Sequence, residues 1–497
     1  MWSVSNLFRR SPKNRQEDSP PEFTVDPEYI ACPVPKVLWI ELTSTCLFDC
    51  VFCTRKTRFG RGQHLDFELY RALIGELDSP EFIGLNYSGE SIYYPRLLEA
   101  IELANSTGAS TELVTAFSSI SKKLLEALVA TGLDRLAVSL HTMDSQQYKE
   151  IYRFGRLELL EERVDDFFRI KRRLGVEKPR LDFCFVAIHE NLGQLADVAR
   201  YAEQVGAAEL FVHPVIGRHP LPRDFSRELS ANRLQASFKD DLRNAVASAR
   251  TAAPGVPITV LNPDIDPDPQ LGHAPAYFAP PLPPKARIHT CDQSPFESVH
   301  ILANGNVVVC EVHDKVPLGN LRNQRLQEIW QNEPYREFRR KYVTAEIPEC
   351  RNCVWKIAYL PMRWKSAIVA ADGKNPQLLR GWYLADRETV IWSKRESLLV
   401  LRALGQGKRV RIIGILPRAP KGKTNTLQVA CNKLPIGSIT NGSESEFSFD
   451  RTFPLNTGAA TLNFEFLTEY TFRPASWGIN ADQRDLGFAL ERIDVRQ

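Results

Sequence analysis

Three cysteines, Cys46, Cys50 and Cys53, stand in a C-x3-C-x2-C spacing where an apolar, strand-like run over residues 37–43 ends. In a four-iron cluster each iron takes its own ligand, so three thiolates leave one iron open to something else. The loop is short enough for its sulfurs to converge, and the end of a strand is where an α/β fold places its sites. Phe52, just before the last cysteine, offers an apolar face beside them. The same residues admit a zinc site or three unrelated thiols, although zinc prefers four ligands in two pairs. A disulfide would require an oxidising compartment.

A second cysteine group lies far along the chain: Cys291, Cys310, and the C-x2-C pair Cys350 and Cys353. Strand-like runs at 299–302 and 307–309 flank Ala303-Asn304-Gly305, a hairpin turn with a glycine free to take positive φ. That fold-back brings Cys291 toward Cys310. A helix over 326–339 then leads to the final pair. Four cysteines complete an iron–sulfur cluster or a structural zinc site, and ligand spacing alone does not separate the two.

The elements that must position these groups alternate. Strand-like segments at 37–43, 82–87, 112–115, 135–140, 181–187 and 210–213 are separated by amphipathic stretches at 67–77, 97–104, 121–130 and 192–203. Successive βα units imply a parallel sheet. Ser88-Gly89-Glu90 follows the second strand, where Gly permits close backbone approach and Glu supplies an acceptor.

The triad, followed about forty residues later by Gly89-Glu90 after a strand, resembles the radical SAM superfamily. The resemblance implies an α/β fold with a partial (β/α)6 TIM-like barrel. It also implies S-adenosylmethionine on the open iron of a [4Fe–4S] cluster held by Cys46, Cys50 and Cys53. Reductive cleavage would then yield a 5'-deoxyadenosyl radical that abstracts a hydrogen atom. Residues implied to touch the cofactor are Phe52, Ser88, Gly89, Glu90 (its amino group), Ser139 (the ribose) and Arg153 (the carboxylate). The Asn-Gly that many relatives carry after the third strand is replaced here by Ala116-Phe117. The second cysteine group resembles the auxiliary region of the SPASM and twitch branches. It implies one auxiliary [4Fe–4S] cluster on Cys291, Cys310, Cys350 and Cys353, and a reductant such as flavodoxin or ferredoxin.

Cys184 shares a strand face with Asp182. It is the candidate hydrogen-atom donor if the reaction is an epimerisation; an inert buried thiol is the plainer reading. Cys32 and Cys431 carry no contextual signal. His213 and His219 lie at and beyond the exit of the sixth strand. Residues 229–253 read as one helix, and the proline-dense stretch 254–284 as a strap without regular structure.

From about residue 373 the pattern changes to short strands, at 398–404, 410–415, 427–430, 446–449 and 462–466, the signature of an all-β sandwich. Gly381-Trp382-Tyr383, Ile391-Trp392 and residues 482–487 resemble a β-domain appended to enzymes of bacterial surface-glycan clusters. That likeness implies a small-molecule or glycan substrate, with Trp382 and Trp392 as sugar platforms or, alternatively, as core aromatics.

The expected organisation is a leader at 1–35, the barrel at 36–216, a helix and strap at 217–285, the auxiliary-cluster region at 286–370 and the sandwich at 373–497. A formal net charge of +3 on 497 residues points to neither nucleic acid nor an acidic membrane as partner. No apolar run is long enough to span a bilayer. The N-terminus lacks a signal peptide's apolar core, and ten cysteines then argue for metal in a cytoplasmic protein. The expected reaction is oxidation or epimerisation of a carbohydrate-like substrate. The alternatives are a peptide-modifying maturase and a non-catalytic iron–sulfur or glycan-binding scaffold.

Overall fold

The computed structural model describes residues 22–55, 62–216, 221–230, 233–262, 265, 282–372, 375–383, 389–404, 409–420, 423–441, 448–474, 479, 482 and 484–497. The leader up to residue 21, His219 and most of the proline-dense strap lie outside these residues.

After a short helix α1 (Pro27–Ile30), strands β1 (Val37–Ile40), β2 (Phe82–Gly84), β3 (Ser110–Thr115), β4 (Arg135–Ser139), β5 (Arg180–Ala187) and β6 (Glu209–Pro214) lie side by side. All are parallel and in chain order. The helices between them are α2 (Phe67–Gly75), α3 (Leu97–Asn105), α4 (Lys122–Ala130), α5 (Ser145–Tyr152), α6 (Leu157–Leu174) and α7 (Leu195–Val205). Asp66, Ser121 and Asp144 cap α2, α4 and α5 with side-chain oxygens, which is why those helices start where they do. Leu38, Ile40, Ile83, Leu113 and Leu136 turn one face of the sheet into a single core with the helices.

The sheet is larger than six strands. A ribbon of β7 (Leu229–Ser230) and β8 (Arg233–Leu234) precedes α8 (Ala236–Ala252), so the single helix expected over 229–253 begins late. β9 (Ile258–Val260) then pairs in parallel with β6, correcting the expectation that 254–284 holds no regular structure. Pro254 and Pro257 precede this edge strand rather than interrupt it.

Next come β10 (Arg287–Cys291), β11 (Ser298–Ile301), β12 (Asn306–Val308) and β13 (Gly319–Asn320). β11 takes the open edge of β1, with Trp39 opposite His300. The expected hairpin joins β11 to β12, and Gly305 adopts φ +86°. The result is a ten-stranded sheet ending in β13 and β9, with no pairing between these edges among the described residues. Unsatisfied edge amides and carbonyls of β1 and β6 recruit these extra strands, so the strict six-unit barrel gives way to a wider sheet.

The helix expected over 326–339 is two, α9 (Leu326–Trp330) and α10 (Glu333–Val343). Asn332 caps a new start and Pro334 occupies its first turn. α11 (Pro348–Asn352) and β14 (Lys356–Tyr359) follow, β14 pairing antiparallel with β10.

The C-terminal region is all β: β15 (Ala367–Val369), β16 (Leu378–Trp382), β17 (Ile391–Arg402), β18 (Arg409–Ile415), β19 (Asn425–Cys431), β20 (Leu434–Asn441), β21 (Ser448–Pro454), β22 (Thr461–Thr468) and β23 (Ala489–Arg496). β17 pairs with β22 along most of its length and with β23 at its start, so it belongs to both layers of a sandwich. The apolar faces of the two layers share one core. Trp382 lies in it, 8% exposed, edge-on to Phe488 and donating to the Leu398 carbonyl at 2.9 Å. This removes Trp382 as a sugar platform. Trp392 is half-buried against Phe472.

The sandwich is tied to the sheet domain by polar contacts. Lys394 Nζ lies 3.4 Å from Glu297 and 3.5 Å from Glu81. Arg380 Nη1 donates to Cys32 Sγ at 2.7 Å. No described helix is long and apolar enough to cross a membrane. Trp382→Ala is expected to lower stability by ~3–5 kcal/mol, read as the denaturant midpoint of the sandwich transition, while leaving bound iron per folded chain unchanged.

Candidate functional site

The chain leaving β1 carries the first cysteine loop, and the chain leaving β2 is pressed against it. Glu90 N–H donates to the Thr45 carbonyl at 2.9 Å. A Cβ on Gly89 would sit 2.1 Å from the Thr43 oxygen, so only glycine fits there. On its other side the cysteine loop docks on the end of α5, through Asp49 N–H to Tyr152 O at 3.1 Å and Val51 N–H to Ile151 O at 3.0 Å.

Cys46, Cys50 and Cys53 share one local field. Burial pushes the Cys46 thiol up to about 12, with Glu90 adding to the shift. Burial pushes Cys50 well above the ordinary thiol value, and the charges of Cys53 and Cys46 push it further. Arg55, 5% exposed, donates to the Ser44 carbonyl at 3.1 Å and favours the Cys46 thiolate. Thiols so placed ionise only when a cation takes the proton's place, which is how iron binds them.

Glu90 is buried. Its Oε2 accepts the Ala116 N–H at 2.7 Å, and the Thr115 hydroxyl also bonds it. Burial nevertheless raises its pKa to about 7. The Ala116-Phe117 stretch that replaces the expected Asn-Gly therefore serves Glu90 through its backbone. A buried carboxyl near neutrality suits a cationic amino group as partner.

The other expected cofactor residues surround this core unevenly. Phe52 meets His141 edge-on at 4.9 Å. Ser139 ends β4, and its carbonyl accepts the Tyr152 hydroxyl at 2.8 Å. Arg153 adopts φ +54° at the end of α5, is 57% exposed, and lies 3.6 Å from Asp49. The Ser88 hydroxyl is engaged by Glu41, whose other oxygen accepts the Ala303 N–H at 2.8 Å.

Cys184 lies one strand over, in register with Ser139. Burial raises its pKa to about 12, with Glu112 adding to the shift. On the same inward face, Arg135 is paired with Glu112 at 2.7 Å and with Asp182. His213 feels both His141 and Glu311, the residue after Cys310. The mouth of the sheet therefore reaches toward the second cysteine group.

In that group, Cys291 ends β10 opposite Lys356 of β14, Cys310 follows β12, Cys350 lies in α11, and Cys353 closes that helix. Burial raises every one of these thiols, and Cys291 also feels Cys353, Cys350 and Cys310. Lys356 is 1% exposed, bonds the Cys353 carbonyl, and favours the thiolate at Cys350 and Cys353. The Tyr342 hydroxyl lies against Cys291. Among the described residues no group of three His, Cys, Asp or Glu side chains is gathered closely enough to hold a single ion.

Arg55, Lys356 and His141 escaped sequence reasoning. The two cations had one available signal, their position two and three residues after the last cysteine of each group.

Two outcomes follow from this geometry. Gly89→Ala forces the two loops apart and should reduce iron at the first site by more than half, with the second site still loaded, measured as iron per chain. The Glu90 carboxyl titrates near 7 when folded and at the ordinary carboxylate value when unfolded. Its contribution therefore favours the fold at low pH and is lost as pH rises through about 7. The metal-free Glu90→Gln variant should exceed wild type in unfolding free energy at pH 8 by up to ~3 kcal/mol and match it near pH 4.

Residues 40–202 match the model of the radical SAM superfamily, and residues 291–354 match that of the iron–sulfur cluster-binding SPASM domain. The tungsten-containing aldehyde ferredoxin oxidoreductase cofactor-modifying protein of Pyrococcus furiosus is 20% identical over 340 residues, 64% of this chain and 87% of that protein. The PqqA peptide cyclase of Gluconobacter oxydans is 23% identical over 330 residues, 64% of this chain and 82% of that one. The crystal structure of Streptococcus suis SuiB bound to precursor peptide SuiA is similar with a TM-score of 0.48 and 14% identity, covering 62% of this chain and 67% of that one. The chain thus carries a radical SAM domain, which binds S-adenosylmethionine and a [4Fe–4S] cluster, followed by a SPASM domain that binds auxiliary iron–sulfur chemistry.

Proposed function

We propose that the protein is a radical SAM enzyme that modifies a peptide, with Cys46, Cys50 and Cys53 at the cofactor-binding cluster and Cys291, Cys310, Cys350 and Cys353 at one auxiliary cluster. The observation that carries the two-centre reading is the shared sheet. β1 leads into the first cysteine loop, and its parallel neighbour β11 leads through β12 to Cys310. A peptide substrate is supported by the PqqA peptide cyclase, matched over 82% of its length. The carbohydrate reading loses its main prop, because Trp382 is spent in the sandwich core.

When bound, the first cluster and S-adenosylmethionine supply a 5'-deoxyadenosyl radical, and the second cluster supplies a route for an electron. The chain's own residues do the positioning. Glu90 receives the cofactor's amino group and gains the counter-charge that burial denies it. Phe52, Ser139 and Arg153 flank it, and Ser88 steadies the loop through Glu41. Cys184 keeps its proton at neutral pH, since its pKa is about 12. A hydrogen-atom donor must be a thiol rather than a thiolate, and Cys184 meets that condition on the inward face.

Anaerobic reconstitution should load about eight irons per chain, four for each centre. Cys46→Ala and Cys350→Ala should each retain about four, with 5'-deoxyadenosine formation abolished only by the first. Zinc at the second group, or no cofactor cleavage by reduced wild type, overturns the reading. With a peptide substrate in D2O, Cys184→Ala should abolish deuterium uptake into product while 5'-deoxyadenosine still forms; unchanged uptake removes Cys184 as donor.

A further inference from the structure

His141 is a constrained polar side chain at the carboxyl end of the sheet, and the scheme above leaves it unused. The residue is 3% exposed. Its ring stacks on Tyr152 at 5.0 Å with an interplanar angle of 11°, and Phe52 closes one edge at 4.9 Å. The backbone around it is equally fixed. The Asn191 side chain donates to the His141 carbonyl at 3.0 Å and to the Val186 carbonyl at 2.9 Å, and accepts from Ile188 N–H at 2.9 Å.

One ring nitrogen is committed. Val186 N–H donates to His141 Nδ1 at 3.1 Å. An imidazole that accepts at Nδ1 carries its proton on Nε2. Burial lowers its pKa to about 3, with His213 adding to the shift, so the ring is neutral under ordinary conditions and the tautomer is set by the fold. Nε2 has no partner among the described residues and is not sealed off as a buried, unpaired atom. Tyr152, on which the ring stacks, donates its hydroxyl to the Ser139 carbonyl at 2.8 Å and so ties the imidazole to the end of β4. A fixed neutral N–H donor therefore stands between Phe52, next to Cys53, and the end of β4.

We propose that His141 Nε2–H donates a hydrogen bond to S-adenosylmethionine bound between Phe52 and Ser139, making His141 a further cofactor-binding residue. The proposal rests on the radical SAM reading above. Its chemistry is that of a neutral donor to an uncharged oxygen or nitrogen acceptor. The cofactor's charged ends are left to Glu90 and Arg153.

The test separates this role from a structural one. Asparagine at 141 keeps an acceptor for Val186 N–H but cannot reach the ligand. Glutamine keeps a donor near the Nε2 position but forfeits the Val186 bond. On the reconstituted full chain, cofactor affinity is read from the change that S-adenosylmethionine produces in the EPR spectrum of the reduced first cluster. His141→Asn should weaken binding about tenfold, as expected for one lost neutral hydrogen bond, and His141→Gln by less than threefold. A purely structural role gives the reverse order, with the Asn variant near wild type, and overturns the proposal. Should the Asn variant not assemble a cluster, His141→Leu replaces it. Gln and Leu both lose the Val186 bond and differ in the distal donor, so equal affinities also overturn the assignment. A wild-type spectrum that does not respond to S-adenosylmethionine would instead overturn the radical SAM reading itself.

Discussion

The close contact between the segments leaving β1 and β2 is the constraint on which the first site depends. Glycine at 89 is demanded by the Thr43 carbonyl, 2.1 Å from where a Cβ would stand. The Glu90 amide then bonds Thr45, immediately before Cys46. This single approach places the Glu90 carboxyl in the field of the cysteines and fixes the loop that holds them. Parallel strands make it natural, because neighbouring strands end at the same edge and their following loops must share space.

A second theme is charge. Burial opposes ionisation of Cys46 and Cys50 and of all four thiols in the second group, yet metal binding requires thiolates. Each group has a nearly inaccessible cation close by, Arg55 beside Cys46 and Lys356 beside Cys350 and Cys353. Both favour the charged sulfur in a setting where low dielectric strengthens the effect. Glu90 shows the opposite case, a carboxyl with hydrogen bonds but no ion-pair partner among the described residues, its pKa raised by burial to about 7. Lys394, placed between Glu81 and Glu297, uses the same logic to join the sandwich to the sheet domain.

Much of the architecture was legible because local patterns carried it. The six parallel strands, the hairpin at Gly305 and the β character of the C-terminal region follow from hydrophobic period and turn residues. What failed did so for definable reasons. β9 hid behind the prolines that precede it, Pro254 and Pro257. The break between α9 and α10 turned on Asn332 as a cap within an otherwise continuous helical pattern. β20 is mostly exposed, so it lacks the alternation that betrays a strand. Trp382 and Trp392 look alike in sequence, and only the two-layer packing buries the first and leaves the second half-buried.

The sequence alone determined the chemistry on offer: three thiols in one short loop, four more in a second group, and a Gly-Glu pair after a strand. Spacing within a few residues sets which sulfurs can converge, because a short loop has little freedom to do otherwise. Tertiary structure decided what no local pattern encodes. Pairing of β11 with β1 brings the second group to the same sheet although some 250 residues separate the strands. Register set Ser139 beside Cys184, and the Val186 amide selected the His141 tautomer. These depend on contacts between distant segments, whose partners are chosen by burial and unsatisfied hydrogen bonds across the whole fold.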